Sequence, residues 1–218
     1  MSDRKKRVLF QSDFTLSKTG FGRNAKAVLS YLYSLDEYEI LHYCGGLNKN
    51  HSSLCQTPWK SVGCLPDNPR EVEYLERDSK TFRMASYGAL ELDNIVKEFK
   101  PDVYFAVQDI WGVDYAVEKD WFRYTNSVIW TTLDSLPLLK TSLDIAPSVK
   151  NYWIWSDFAT KELHNQGHPH VQTVHGALED KFFRRLPDED KVNLRRMNDL
   201  PNDYFIIGFV FRNQLRKS

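Results

Sequence analysis

Asp13, Asp109, Asp134 and His175 each stand at or just past the end of a short apolar run. All four side chains can bind a hydroxyl or handle a proton. Any one of them also serves as an ordinary turn or cap residue. Four at the ends of the first, third, fourth and sixth runs predict one polar cleft, suited to hydroxyl-rich or phosphorylated ligands. Trp111, two residues past Asp109, offers an aromatic face on which a sugar ring can stack. The loop after the first run closes in Gly20-Phe21-Gly22 and leads into a helical pattern. Glycines there let backbone approach a ligand, and a helix N-terminus favours an anion.

The elements that must position these residues follow from periodicity. Apolar runs at residues 7–12, 38–44, 103–107, 127–132, 152–155 and 170–175 read as strands buried on both faces. Residues 23–35 carry Ala25, Val28, Leu29, Leu32 and Leu35 at helical spacing. A helix is expected past Pro69, a clearer one over residues 87–99, and one capped by Ser156 or Asp157 that ends near Gly167. Residues 47–68 read as loops with one short edge element. Alternating strands and helices predict an α/β fold with a Rossmann-like, doubly wound parallel sheet. Past Gly176 a charged linker with a short polar helix precedes a further apolar run at residues 204–211, read as a buried strand.

Composition narrows the class. The chain has 218 residues, 42% hydrophobic and 14% aromatic, which suffices for a core. Lys plus Arg number 29 and Asp plus Glu 29, so the basic excess of a nucleic-acid binder is missing. No apolar run approaches the ~20 residues of a membrane span. The opening MSDRKKRVLF lacks an apolar signal region, so a cytoplasmic location is expected. Cys44, Cys55 and Cys64 fit no zinc spacing and read as reduced thiols. His164, His168 and His170 surround Gly167 and Pro169, a turn rather than a metal site. No metal or cofactor is expected.

Gly20, Gly22 and Ala25 match the dinucleotide pattern G-x-G-x-x-A. The first glycine comes late after the strand, however, and the second strand ends in Tyr43, Cys44, Gly45 and Gly46 where an acid should hold the ribose. A nicotinamide-dependent oxidoreductase is therefore a minor alternative. At the other end, Arg212 and Lys217 lie just beyond the last apolar run. A guanidinium and an ammonium at a strand's carboxyl end suit a diphosphate.

Several segments in order resemble the GT-B glycosyltransferases of the large retaining family 4, or group 1. They are Gly20-Phe21-Gly22-Arg23, KPDVYFAVQDIW, VIWTTLDSLPL, WIWSDFATKEL, VHGALEDKFFRRLP and the closing FRNQLRKS. Phe211 stands where the family often has Gly, and Leu215 where it often has Pro. The resemblance implies residues 1–200 as the acceptor-side N-terminal domain. Residues 201–218 would be the first strand and phosphate loop of an incomplete donor domain. Gly20, Gly22, Arg212 and Lys217 would bind the donor, a UDP- or GDP-sugar. Asp13, Asp109, Trp111, Asp134 and His175 would face a glycan, lipid or protein acceptor, with Asp109 the one candidate for a catalytic role. Transfer would retain anomeric configuration. The family's Glu-x7-Glu element is missing from the chain, so little or no activity is expected from these residues alone. A non-catalytic sugar- or partner-binding module is the alternative, and peripheral membrane contact is left open.

Overall fold

The computed structural model describes residues 4–179 and 184–207. Contacts divide the chain into two units, Met1–Leu178 and Glu179–Ser218.

The first unit is built on seven parallel strands: β1 (Lys6–Asp13), β2 (Tyr38–Asn48), β3 (Lys60–Leu65), β4 (Val103–Val107), β5 (Asn126–Thr131), β6 (Asn151–Ile154) and β7 (Gln172–Thr173). Their lateral order is β3-β2-β1-β4-β5-β6-β7. The chain thus builds outward from β1 in one direction, then returns to the other side of β1 with β4. The expected α/β Rossmann-like parallel sheet is what forms, and β3 is the short edge element anticipated between residues 47 and 68.

Alternation along the strands feeds two cores. Val8, Phe10 and Ile40 pack with Ala25 and Leu29 of α1 (Gly20–Ser34) on one face. Leu9, Leu41, Tyr43, Tyr104 and Ile129 pack on the other. Pro69 at the first turn and the Asn68 cap start α2 (Pro69–Glu76), and Asp78 caps α3 (Ser79–Ser86). The helix α4 (Leu92–Phe99) follows, and Lys100 in left-handed backbone and Pro101 end it. The chain then adds α5 (Lys140–Ile145) and α6 (Asp157–Asn165).

Several expectations are corrected. The helix expected over residues 87–99 begins at Leu92, and a turn takes residues 87–91. Gly88 there has φ +91, and a Cβ on it would lie 2.4 Å from the Tyr43 ring. α3 was not anticipated, because its apolar positions are few. The strand expected at 170–175 shrinks to Gln172–Thr173 at the sheet edge. Ser156 does precede α6, but its hydroxyl donates to the Leu133 carbonyl at 2.9 Å and leaves the helix end uncapped by a side chain.

In the second unit, α7 (Asp188–Met197) has three acids in its first turn and two arginines in its last, in accord with the helix dipole. Arg195 donates to the carbonyls of Pro201 and Tyr204 at 2.5 and 2.9 Å. Residues 204–207 form no strand, contrary to the expected run at 204–211, and Phe205 is 90% exposed. Strand geometry needs a ladder partner, and the described residues of this unit contain no strand. Residues 208–211 lie outside the described residues.

Candidate functional site

In an open parallel sheet, ligands settle outside the carboxyl ends of the strands, where the winding reverses. Here that point lies between β1 and β4. The β1 end supplies Asp13 and the residues after β4 supply Gln108 and Asp109.

A chain of hydrogen bonds crosses this edge. Thr19 Oγ1 donates to Asp13 Oδ2 at 2.5 Å. Gln108 Nε2 donates to Asp13 Oδ1 at 2.7 Å. The Asp109 backbone N–H donates to Gln108 Oε1 at 3.0 Å, and Thr132 Oγ1 donates to Asp109 Oδ1 at 2.9 Å. Two carboxylates from separate strands are thereby held on one ledge running from the α1 cap past β4 to the end of β5. Thr19 also caps α1 by accepting from the Gly22 N–H at 3.0 Å, so the ledge and the helix are fixed by one hydroxyl.

Tyr87 completes the ledge. Burial first, then the charges of Asp13 and Asp109, push its phenol above the ordinary tyrosine value, so it stays a hydrogen-bond donor. Its ring meets Trp111 edge-on at 5.0 Å, and the Arg83 guanidinium lies 5.6 Å from the Trp111 ring. Trp111 is 38% exposed. Beneath, the buried Gln11 donates to the Tyr87 carbonyl at 2.5 Å and to Tyr115 Oη at 2.8 Å, and accepts from Tyr104 Oη at 2.6 Å. Tyr115 Oη donates to the same Tyr87 carbonyl at 2.7 Å. The turn that carries Tyr87 is thus held from below by the buried Gln11 and Tyr104 and the half-buried Tyr115.

Beside the ledge lies a groove of about 570 Å³, formed by the β1–α1 loop and the carboxyl end of β2. Its lining includes Asp13, Ser17, Thr19 and Tyr87, together with Gly45, Gly46 and Leu47 of β2. Its volume lies in the range of small-molecule sites.

The sequence-derived candidates divide. Asp13 and Asp109 are joined through Gln108, and Trp111 is brought to the same place by Tyr87. Asp134 is exposed in the loop after β5, beside a cis Leu136–Pro137 bond. His175 lies past β7, where Nδ1–H donates to the Trp155 carbonyl at 2.8 Å and Nε2 is 4.0 Å from Asp157. Arg212 and Lys217 lie outside the described residues. Gln108, Thr19, Thr132 and Tyr87 escaped sequence reasoning, since a polar residue past a strand carries no signal of its partner. His164 and His170 donate to the Val171 and Ala146 carbonyls. Among the described residues no three His, Cys, Asp or Glu side chains could hold a metal ion, and no helix is long and apolar enough to cross a membrane.

The two glycines differ. A Cβ on Gly22 would stand 2.2 Å from Ser17 Oγ and 2.7 Å from the Phe14 carbonyl oxygen, whereas one on Gly20 would meet nothing within 4 Å. Gly22 is needed for the β1–α1 loop to fold onto its helix. Gly22→Ala should cost about 1–3 kcal/mol of stability, the usual range for overpacking, while Gly20→Ala should leave the melting midpoint unchanged or slightly raised. Equal midpoints for the two variants in thermal unfolding would contradict this assignment.

No family model and no curated protein matches the chain. Solved structures do. The catalytic domain of starch synthase IV from Arabidopsis thaliana, bound to ADP and acarbose, aligns with a TM-score of 0.58 at 12% identity, over 93% of this chain and 61% of that one. TcCGT1 in complex with UDP aligns with a TM-score of 0.51 at 10% identity, over 89% of this chain and 55% of that one. The chain therefore has the Rossmann-like α/β fold found in these two proteins, and it spans less than two thirds of the length of either.

Proposed function

We propose that the chain is the acceptor-side part of a glycosyltransferase that uses a nucleotide-sugar donor, of the retaining family 4 type. The observation that carries this reading is the Thr19–Asp13–Gln108–Asp109–Thr132 chain at the winding reversal of the sheet. Paired carboxylates beside an exposed tryptophan suit sugar hydroxyls and the apolar face of a sugar ring. Support also comes from the fold likeness to a starch synthase bound to ADP and acarbose and to TcCGT1 bound to UDP.

In this reading Asp13, Asp109 and Trp111 bind the acceptor, a glycan or a glycan on a lipid or protein. Asp134 and His175 lie farther along the same edge and would contact its distal part. Gly20, Arg212 and Lys217 would meet the diphosphate of a UDP- or GDP-sugar. Gly22 shapes the loop for them. Asp109 is the candidate to stabilise the charge that develops during transfer. Residues 1–200 would form the acceptor domain and 201–218 the entry to the donor domain, in a cytoplasmic enzyme that needs no metal. The 218-residue chain by itself is expected to turn over no donor.

The test pairs binding with turnover. The chain is titrated with neutral oligosaccharides while Trp fluorescence is followed, and is assayed with UDP- and GDP-sugars. Saturable saccharide binding is expected, weakened about tenfold or more in Asp13→Asn and Asp109→Asn, since each loses a charge-assisted hydrogen bond. Binding unchanged in both variants would overturn the acceptor assignment, and robust turnover by this chain would overturn its dependence on further residues.

A further inference from the structure

A second cavity lies at the opposite, amino-terminal edge of the sheet, where β5 and β6 begin. It encloses about 310 Å³ and its lining contains two cations, Arg123 and Lys150, and no acid. Neither cation is ion-paired among the described residues. Both are exposed, in a chain whose overall charge is zero. The constellation is therefore a local excess of positive charge that composition conceals. Asn151 Nδ2 donates to Asn126 Oδ1 at 3.1 Å and to the Ser127 carbonyl at 2.9 Å. Those bonds orient the Asn126 amide and engage its oxygen, and among the described residues no acceptor takes its NH2 group. Ser148 and Thr125 add hydroxyls to the same lining.

Two like charges on one small concavity repel each other, and a bound anion removes that repulsion. A guanidinium, an ammonium and an amide NH2 together offer donors to several oxygens of one tetrahedral group, a better match to phosphate than to a planar carboxylate. The volume exceeds what inorganic phosphate needs and suits a small organic ester. The Tyr124 ring, 91% exposed and part of the lining, offers a face for the organic portion.

We propose that this cavity binds a small phosphate monoester, at a site separate from the carboxyl-edge ledge. β5 runs from Asn126 in this cavity to Thr131, next to the Thr132 that holds Asp109.

The test uses the 218-residue chain with inorganic phosphate, a hexose 6-phosphate and the free hexose as probes, followed by calorimetry or by NMR shifts. The hexose phosphate is expected to bind saturably and about tenfold tighter than inorganic phosphate. The free hexose should leave the Asn126 and Asn151 resonances unmoved. Arg123→Ala and Lys150→Ala should each weaken the ester about tenfold, as loss of one charge-assisted contact does. Both residues are exposed, so the variants should fold. Asp13→Asn should bind the ester as the natural chain does. Lack of saturation, or undiminished binding in the double variant, overturns the site. Equal affinity for inorganic phosphate and the ester overturns the assignment of an organic ligand.

Discussion

A His42→Phe chain should lose much less stability than the natural one as pH falls from 6.5 toward 5. His42 is fully buried on β2, stacked on Phe14 at 6.3 Å and edge-on to Phe10 at 6.0 Å, and neither ring nitrogen has a hydrogen-bond partner. Burial lowers its pKa from 6.5 to about 3, and the Asp13 backbone beside the ring opposes this only in part. The folded chain therefore holds a neutral imidazole through a range in which the unfolded chain takes up a proton. That contribution is fully present above pH 6.5 and is lost as pH falls toward the folded value. The slope reaches about 1.4 kcal/mol per pH unit, or roughly 2 kcal/mol between pH 6.5 and 5. Phenylalanine has no proton to bind and its ring suits the aromatic surroundings. Urea unfolding at several pH values gives the two stability curves. Parallel curves would mean that His42 is not the group responsible.

Gln11→Leu should be the most disruptive single change beneath the ledge. The Gln11 side chain serves the fully buried Tyr104 and the partly buried Tyr115 hydroxyl and Tyr87 carbonyl. Leucine would leave the fully buried Tyr104 hydroxyl without its acceptor and remove one of two donors from the Tyr87 carbonyl. An unpartnered buried polar group costs about 1–3 kcal/mol, and loss of several bonds in one network places the expected cost at about 2–4 kcal/mol. Removing the Tyr104 hydroxyl as well should restore part of that loss, because replacing both partners avoids the orphan. The double variant Gln11→Leu, Tyr104→Phe should therefore be more stable than Gln11→Leu alone in denaturant unfolding. Additive costs would show that the two side chains are not coupled. Under the proposed function, saccharide binding should also fall in Gln11→Leu beyond what stability explains, since the Tyr87 carbonyl keeps only one of its two donors.

Much of this architecture was legible in the residues. Asp13 and Asp109 were found because a carboxylate just past an apolar run is locally visible. Tyr87 was not, because helical spacing from Leu90 onward drew the expected helix over it, while the φ of Gly88 and its contact with Tyr43 stop the helix short. Asp134 and His175 had the same local signature as Asp13 yet lie on other parts of the edge. A residue's place along a strand says nothing about which strand lies beside it.

Apart from α3 and the start of α4, the sequence by itself determined most of the strands and helices of the first unit, the parallel character of the sheet and the two-faced core. Each of these follows from the period and length of apolar runs, which are local properties. The tertiary structure alone decided that β1 lies against β4, which brings the Asp13 carboxylate to Gln108 across 95 positions of sequence. It also decided that residues 204–207, as apolar as any strand in the chain, form none. Lateral strand order and ladder pairing depend on contacts between distant segments, and an apolar run specifies burial without specifying its partner.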